Sequence, residues 1–175
     1  PVEAFVVGVS FVSTQSNDCW NLVNVYGPCT GQRRLDFTSW LFDLHILDNE
    51  NWLILGDFNF IRSMDNRNRP GGDADDMLLF KEIIRAQSLM EIPVKGRAFT
   101  WSNMQDDPLF EQLDWFFSSS NWTTSFPNTM VLPLGKPVSD HIPCVLSIES
   151  KIPKSKLFRF ENFWVNCTGF FEVVA

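Results

Sequence analysis

Four apolar residues, Trp52-Leu53-Ile54-Leu55, run without a break into Gly56-Asp57-Phe58-Asn59, and this stretch limits what the 175-residue chain can fold into more than any other. So short and so continuously apolar a run suits a strand buried on both faces. A sheet covered on two sides follows from it. The strand also carries a carboxylate and an amide to its C-terminal lip, where ligand sites gather in α/β sheets. Alternating side-chain directions put Asp57 and Asn59 on one side. Two readings stay open at this point. Asp57 could orient a water nucleophile while Asn59 donates to a phosphate oxygen, or the two could simply form an Asx-turn or cap a helix.

The flanking segments supply the rest of such a fold. Ala4 to Val12 is rich in Val and Phe and reads as a strand. Cys19 to Tyr26 alternates, with Trp20, Leu22, Asn24 and Tyr26 on one face and Val23 and Val25 on the other. The two should form a hairpin across the polar Ser13–Asp18 turn, and Gly27-Pro28 ends the second. Thr30 can cap a helix with the stripe Phe37, Trp40, Leu41, Leu44 and Leu47. Residues 61–76 read as a long polar loop. Asp73, Asp75 or Asp76 can start a second helix, lined by Leu79, Ile83, Ala86 and Met90 with Phe80 and Ile84 beside them. Strands are expected over Phe99–Ser102, Gln112–Phe117, Val131–Leu134 and Ile142–Ile148. The order of elements predicts an α/β or α+β sandwich with helix-covered sheets over residues 1–150. Residues 151–175, basic and then aromatic, read as a linker into whatever follows.

Composition narrows the function. Seventeen Phe and seven Trp against one Tyr suit packed sheet interiors. A net charge of −7 argues against gripping nucleic acid by electrostatics alone. It leaves room for an enzyme that meets phosphates through bound metal, because metal sites need acids. Cys19, Cys29, Cys144 and Cys167 lack ligand or disulfide spacing and read as buried thiols. Asn-x-Thr sequons stand at Asn121 and Asn166, but without a signal peptide they carry no weight. No apolar run reaches the length of a membrane span. The expectation is a soluble protein of a reducing compartment.

Three further positions carry chemistry. Ser139-Asp140-His141 sets an acid beside an imidazole at a strand entry, where a protonated His could bind an oxyanion; a self-capping turn is the plainer alternative. Asp114, in an apolar strand, needs a partner if buried. His141 is the economical one, because such pairing fixes the ring's tautomer. Otherwise Asp114 faces solvent from an edge strand. Tyr26 could reach a phosphate with its hydroxyl. His45, between apolar positions of the first helix, reads as a packing residue. Glycine-rich phosphate loops, nucleophile elbows and His-Glu-x-x-His zinc motifs are absent from the sequence.

Taken in order, Asn24-Val25-Tyr26-Gly27-Pro28, Gly56-Asp57-Phe58-Asn59, Phe99-Thr100-Trp101-Ser102-Asn103, Leu113-Asp114 and Ser139-Asp140-His141 resemble the endonuclease/exonuclease/phosphatase superfamily. Within it the chain is most similar to the apurinic-type endonuclease domain of plant LINE-type non-LTR retrotransposons. The tail Phe158-Arg159-Phe160-Glu161-Asn162-Phe163-Trp164 resembles the segment that leads there into a reverse transcriptase.

The resemblance implies a four-layered α/β sandwich, incomplete at its N-terminus, that nicks DNA and leaves a 3′-hydroxyl to prime reverse transcription. Tyr26 would contact the scissile phosphate, Asp57 would position and deprotonate water, and Asn59 would hold that water and a phosphate oxygen. Thr100 would line the DNA surface. Asp114 would orient His141, which would stabilise the transition state. Asp140 would help hold Mg²⁺, with Mn²⁺ as the alternative, and Ser139 would support the site. Partners would be DNA and a reverse transcriptase domain of the same polyprotein, in a nuclear or cytoplasmic setting without secretion. Two positions depart from the pattern: no metal-site Asn or Glu motif precedes Tyr26, and Trp115 stands where the group carries Arg. A weak or inactive nuclease is therefore expected. A phosphatase or lipid phosphodiesterase of the same superfamily, and a non-catalytic remnant, are the competing readings.

Overall fold

The computed structural model describes residues 6–12, 19–47, 49–135 and 139–148. Strands β1 (Val6–Val12) and β2 (Cys19–Tyr26) are followed by helix α1 (Gln32–Phe42) and strand β3 (Asn51–Asp57). A single 3-10 turn at Met64–Asn66 precedes helix α2 (Ala74–Ala86). The short strands β4 (Met90–Glu91), β5 (Trp101–Ser102) and β6 (Phe110–Glu111) come next, then β7 (Asp114–Ser118), helix α3 (Ser120–Ser125), β8 (Met130–Pro133) and β9 (Cys144–Ser147). The linker expected over residues 151–175, and Cys167 and Asn166 with it, lies outside the described residues.

One sheet has the order β1-β2-β3-β7-β4, and β5-β6 and β8-β9 form two-stranded ribbons. The expected hairpin is present, with Val6 opposite Val25 and Val12 opposite Cys19. Strand β3 lies parallel to β2 across the α1 crossover and antiparallel to β7. Its central place explains its composition. Ile54 faces the helices with Val23, Val25, Phe37, Leu41, Phe80, Trp115 and Phe117, while Leu55 faces the other way and packs with Phe116, Val94, Val131 and Leu146. Helices, five-stranded sheet and β8-β9 ribbon therefore stack in that order, the expected α+β sandwich.

Several local expectations shift. Thr30 does not cap α1; Gly31 holds that place with φ 79° and no side-chain bond. The helix ends at Phe42, so Leu44, His45 and Leu47 lie beyond it, and His45 is exposed rather than packed. Asp73 caps α2, its carboxylate accepting from the amides of Asp75 and Asp76. The buried face of α2 is Met77, Phe80, Ile83 and Ile84, with Leu79 and Ala86 outside. Phe80 sets this rotation, because it has the most apolar area to bury and meets Phe58, Phe60, Trp115 and Phe117 at centroid distances of 5.4–6.3 Å. Met90 belongs to β4, not to the helix. The strands expected at Phe99–Ser102 and Ile142–Ile148 shrink to their cores, and α3, started by the Ser119 hydroxyl accepting from the Trp122 amide, was not expected. Cys19 and Cys29 are exposed and Cys144 is half-buried, so the thiols are not core residues.

Phe80 is fully buried at the centre of the ring cluster, so Phe80→Ala should cost about 3–5 kcal/mol of stability. A urea titration checks this, and a loss below about 1 kcal/mol would contradict the packing described.

Candidate active site

The site begins with strand register. Antiparallel pairing of β3 and β7 sets Asp57 opposite Asp114, and parallel pairing of β2 and β3 sets Tyr26 beside Asp57. All three share parity with Leu55 and Phe116, so they lie on the face turned away from the helices. Two carboxylates on neighbouring strands repel each other and call for a cation between them.

His141 supplies it. Its Nδ1 lies 2.8 Å from Asp114 Oδ2 and its Nε2 3.6 Å from Asp57 Oδ2. The ring arrives from the segment before β9, and four contacts fix that segment. Ser139 Oγ accepts from the His141 amide at 3.1 Å. The Ile142 amide donates to the Thr100 carbonyl, and the Ser102 amide to the Asp140 carbonyl. The Trp101 indole N–H donates to Asp140 Oδ2 at 3.0 Å. Thr100, expected at a DNA-facing surface, is only 2% exposed. Its hydroxyl accepts from the amides of Leu113 and Asp114 at 3.1 and 3.0 Å. One buried threonine thus anchors both the strand that carries Asp114 and the segment that carries His141.

Asp57 is held from the other side. Its Oδ1 accepts from the Asn59 amide at 2.9 Å and its Oδ2 from Asn59 Nδ2 at 3.0 Å. The same Nδ2 donates to the Gly27 carbonyl at 2.7 Å, so both amide hydrogens are engaged within the protein. Asn59 sits in the left-handed region, φ 54°. Of the two readings of Gly-Asp-Phe-Asn left open by the sequence, the local turn is the one present, and Asp57 also faces His141. Gly27 is required here, because a Cβ would stand 2.3 Å from the Phe58 carbonyl oxygen.

The electrostatics follow from this packing. Burial pushes the Asp57 carboxyl up to about 6, helped by the charge of Asp114 and opposed by the Asn59 hydrogen bonds and by His141. His141 rises above its ordinary 6.5, chiefly through its hydrogen bond to Asp114 and then through the charges of Asp114, Asp57 and Asp140, against the effect of burial. The Trp101 indole, donating to Asp140, holds that carboxyl below its ordinary value. Burial thus favours the neutral form of Asp57, and the neighbouring carboxylates favour the protonated form of His141.

The sequence-derived residues separate accordingly. Asp57, Asn59, Asp114 and His141 meet. Tyr26 ends the neighbouring strand, 71% exposed and open to a ligand. Ser139 and Thr100 hold the framework, and Asp140 turns to Trp101. Asp57, Asp114 and His141 bring potential ligand atoms within 4.8 Å of one another, close enough for a metal ion. Their bonding argues otherwise. His141 Nδ1 is already engaged by Asp114 at 2.8 Å, and Mg²⁺ prefers near-octahedral oxygen ligation. Asp140, the expected ligand, is not part of that group. The described residues do not by themselves fit a Mg²⁺ or Mn²⁺ site.

Sequence reading missed Arg34. From the first turn of α1 it reaches the Pro28, Cys29 and Asn59 carbonyls and the Asp76 carboxylate. A signal was available, since a cation in the first turn opposes the helix dipole.

Comparisons with known proteins agree with the fold. The chain is 28% identical over 170 residues to an uncharacterised 149 kDa protein of transposon TX1 from Xenopus laevis, covering 91% of this chain and 13% of that one. Among solved structures, the Neisseria 3′ phosphatase NExo bound to a product DNA hairpin superposes with a TM-score of 0.62 at 14% identity, covering 85% of this chain and 66% of that one. The endonuclease domain of the telomere-specific non-LTR retrotransposon TRAS1 gives 0.61 at 12% identity, covering 86% and 72%. At these identities the structures speak for the fold alone. The family model for endonuclease/exonuclease/phosphatase proteins matches residues 1–141, from before β1 through His141. The chain belongs to the endonuclease/exonuclease/phosphatase family.

Proposed function

We propose that this centre hydrolyses phosphodiesters, with DNA as the substrate. The observation that carries the reading is the pair formed by Asp57, whose carboxyl titrates at about 6, and the imidazolium of His141, 3.6 Å away and tied to Asp114. Hydrolysis needs a base to take a proton from water and a fixed positive charge where the phosphoryl oxygens become more negative. Asp57 takes the proton. The water oxygen then bonds to phosphorus and the bond to the 3′ oxygen breaks; that oxygen takes a proton from solvent, leaving a 5′-phosphate and a 3′-hydroxyl. His141 donates to a non-bridging oxygen as its charge grows, and Asp114 keeps the ring turned toward it. Tyr26, exposed beside Asp57, touches the phosphate from the neighbouring strand. Asn59 orients Asp57 and does not bind substrate itself.

DNA fits because a transposon protein and a retrotransposon endonuclease domain are among the chain's relatives. The chain's 13% share of the transposon relative makes a reverse transcriptase of the same polyprotein a natural partner. The net charge of −7 leaves local contacts, not a basic surface, to hold the duplex. A divalent cation, Mg²⁺ above Mn²⁺ for this family, would draw oxygen ligands from outside the described residues, and no step above depends on it. Among the described residues no helix is long and apolar enough to cross a membrane.

Plasmid nicking tests the reading, in the chain alone and in the chain fused behind the segment that precedes the matched region in the transposon relative. His141→Ala and Asp57→Ala should each lower the rate about 10²–10⁴-fold, and Asp114→Asn about 10–100-fold. Undiminished nicking by either alanine variant overturns the mechanism. Cleavage of phospholipids or phosphomonoesters in preference to plasmid overturns the substrate assignment.

The rate should rise as Asp57 ionises, through pH about 6. It should fall again as His141 loses its proton, above 6.5. A profile flat across both limbs contradicts the assignment.

Stability should show the same carboxyl with a definite sign. Asp57 keeps its proton in the folded state between 3.8 and about 6, a range in which the unfolded chain releases it, so stability falls as pH rises through that window. Asp57→Asn should remove this cost. It should stabilise the protein near neutral pH by at most about 3 kcal/mol and have little effect below the window. Urea midpoints on both sides of the window read the difference.

A further inference from the structure

Arg34 is far more elaborately bonded than a helix-surface arginine has reason to be. It lies in the first turn of α1, where Asp or Glu is favoured and a cation is not, and its side chain is 17% exposed. One nitrogen, Nη1, donates to three carbonyls: Pro28 and Cys29 at 3.1 Å each, and Asn59 at 2.9 Å. The other, Nη2, pairs with Asp76 Oδ2 at 2.5 Å. The guanidinium lies over the Phe60 ring, 3.7 Å from its centroid.

These contacts join two segments that approach very closely. The chain leaving β2 and the chain leaving β3 touch where the Gly27 amide donates to the Asp57 carbonyl at 2.6 Å. Three carbonyl oxygens then converge on a small volume, where their partial charges repel unless a cation fills it. The Asn59 carbonyl belongs to a residue held at φ 54°, in the left-handed region that a side-chain-bearing residue keeps only where its surroundings hold it. That strained residue gives Asp57 both of its hydrogen bonds. The order of dependence is thus Asp76 to Arg34, Arg34 to the Asn59 backbone, and Asn59 to the Asp57 carboxylate.

We infer that Arg34 is a positioning residue for hydrolysis, clamping the Asn59 turn so that its amides hold the Asp57 carboxylate toward His141. The inference rests on the phosphodiesterase reading for its consequence in catalysis, though the clamp itself can be tested without turnover. Lysine cannot take over. It keeps the charge but has no planar fork that spans three carbonyls and an opposing carboxylate while stacked on a ring.

The test compares wild type with Arg34→Lys and, as a variant that leaves the arginine in place, Asp76→Asn. Hydrogen exchange by NMR is read at the Asn59 side-chain amide and, as a reference for global opening, at the backbone amides of Ile54 and Phe117 in the core strands. The expected result is exchange at Asn59 at least about tenfold faster in Arg34→Lys, with a smaller increase in Asp76→Asn and the core amides unchanged. In the nicking assay Arg34→Lys should lower kcat at least about tenfold and leave KM within about twofold. Unchanged exchange at Asn59 overturns the clamp, as does equal acceleration at the core amides, which would show only a general loss of stability. A wild-type chain that nicks nothing defeats the phosphodiesterase reading alone, because the exchange comparison still decides whether Arg34 holds Asn59.

Discussion

The imidazole of His141, inserted between the carboxylates of Asp57 and Asp114, is the interaction on which the whole centre depends. Neighbouring strands bring the two acids into register, and without a positive charge between them one would keep its proton. The imidazole lowers the Asp57 carboxyl, as the Asn59 amide does more strongly, and the hydrogen bond to Asp114 raises the imidazole. Each member thereby sets the protonation state of the others. Burial makes the coupling strong, since the same three groups in water would scarcely influence one another. The arrangement is also costly for the fold, because it holds a carboxylate in a half-buried place where burial alone favours the neutral acid.

Rigid surroundings make that cost sustainable. On the helix side of the sheet, Phe58, Phe60, Phe80, Trp115 and Phe117 pack ring against ring and fix the ends of β3 and β7. Trp115 fills this core and donates its indole N–H to the Phe60 carbonyl. Its side chain lies on the opposite face from Asp114, so it serves packing and not the centre. On the opposite face of the sheet from the helices, Thr100 ties Asp114 to the segment bearing His141 through its hydroxyl and its carbonyl. Arg34 ties the turn after β3 to the loop after β2. The aromatic cluster, the threonine and the arginine surround the centre from three directions.

The sequence disclosed the chemistry at the points where it breaks a pattern. An acid at the end of an apolar run suits a turn as well as a reaction, and an acid inside an apolar strand needs a partner only if it is buried. His141 is the economical partner for Asp114, and the 2.8 Å contact selects that reading over a solvent-facing acid. The sequence marks Phe80 as apolar but not the phase of its helix, because Leu79 and Ala86 extend an equally good stripe. Nothing in Phe-Thr-Trp-Ser distinguishes an exposed Thr100 hydroxyl from one that accepts two backbone amides. Nor does an isolated Gly-Asp-x-Asn show whether the Asn59 amide hydrogens are free for a phosphate or engaged in a turn.

By itself, then, the amino-acid order determined the two-sided burial of β3, the hairpin of β1 and β2 and the α+β class, and its motifs, through the family they resemble, named the groups that meet. The elements follow from local periodicity, which a short window of sequence carries. Tertiary structure alone decided that Arg34 reaches the turn of Asn59, that Thr100 faces inward and that Asp140 turns toward Trp101. Each of those depends on which of several nearby acceptors lies within about 3 Å. That distance is set by how separate segments pack, which no local pattern encodes.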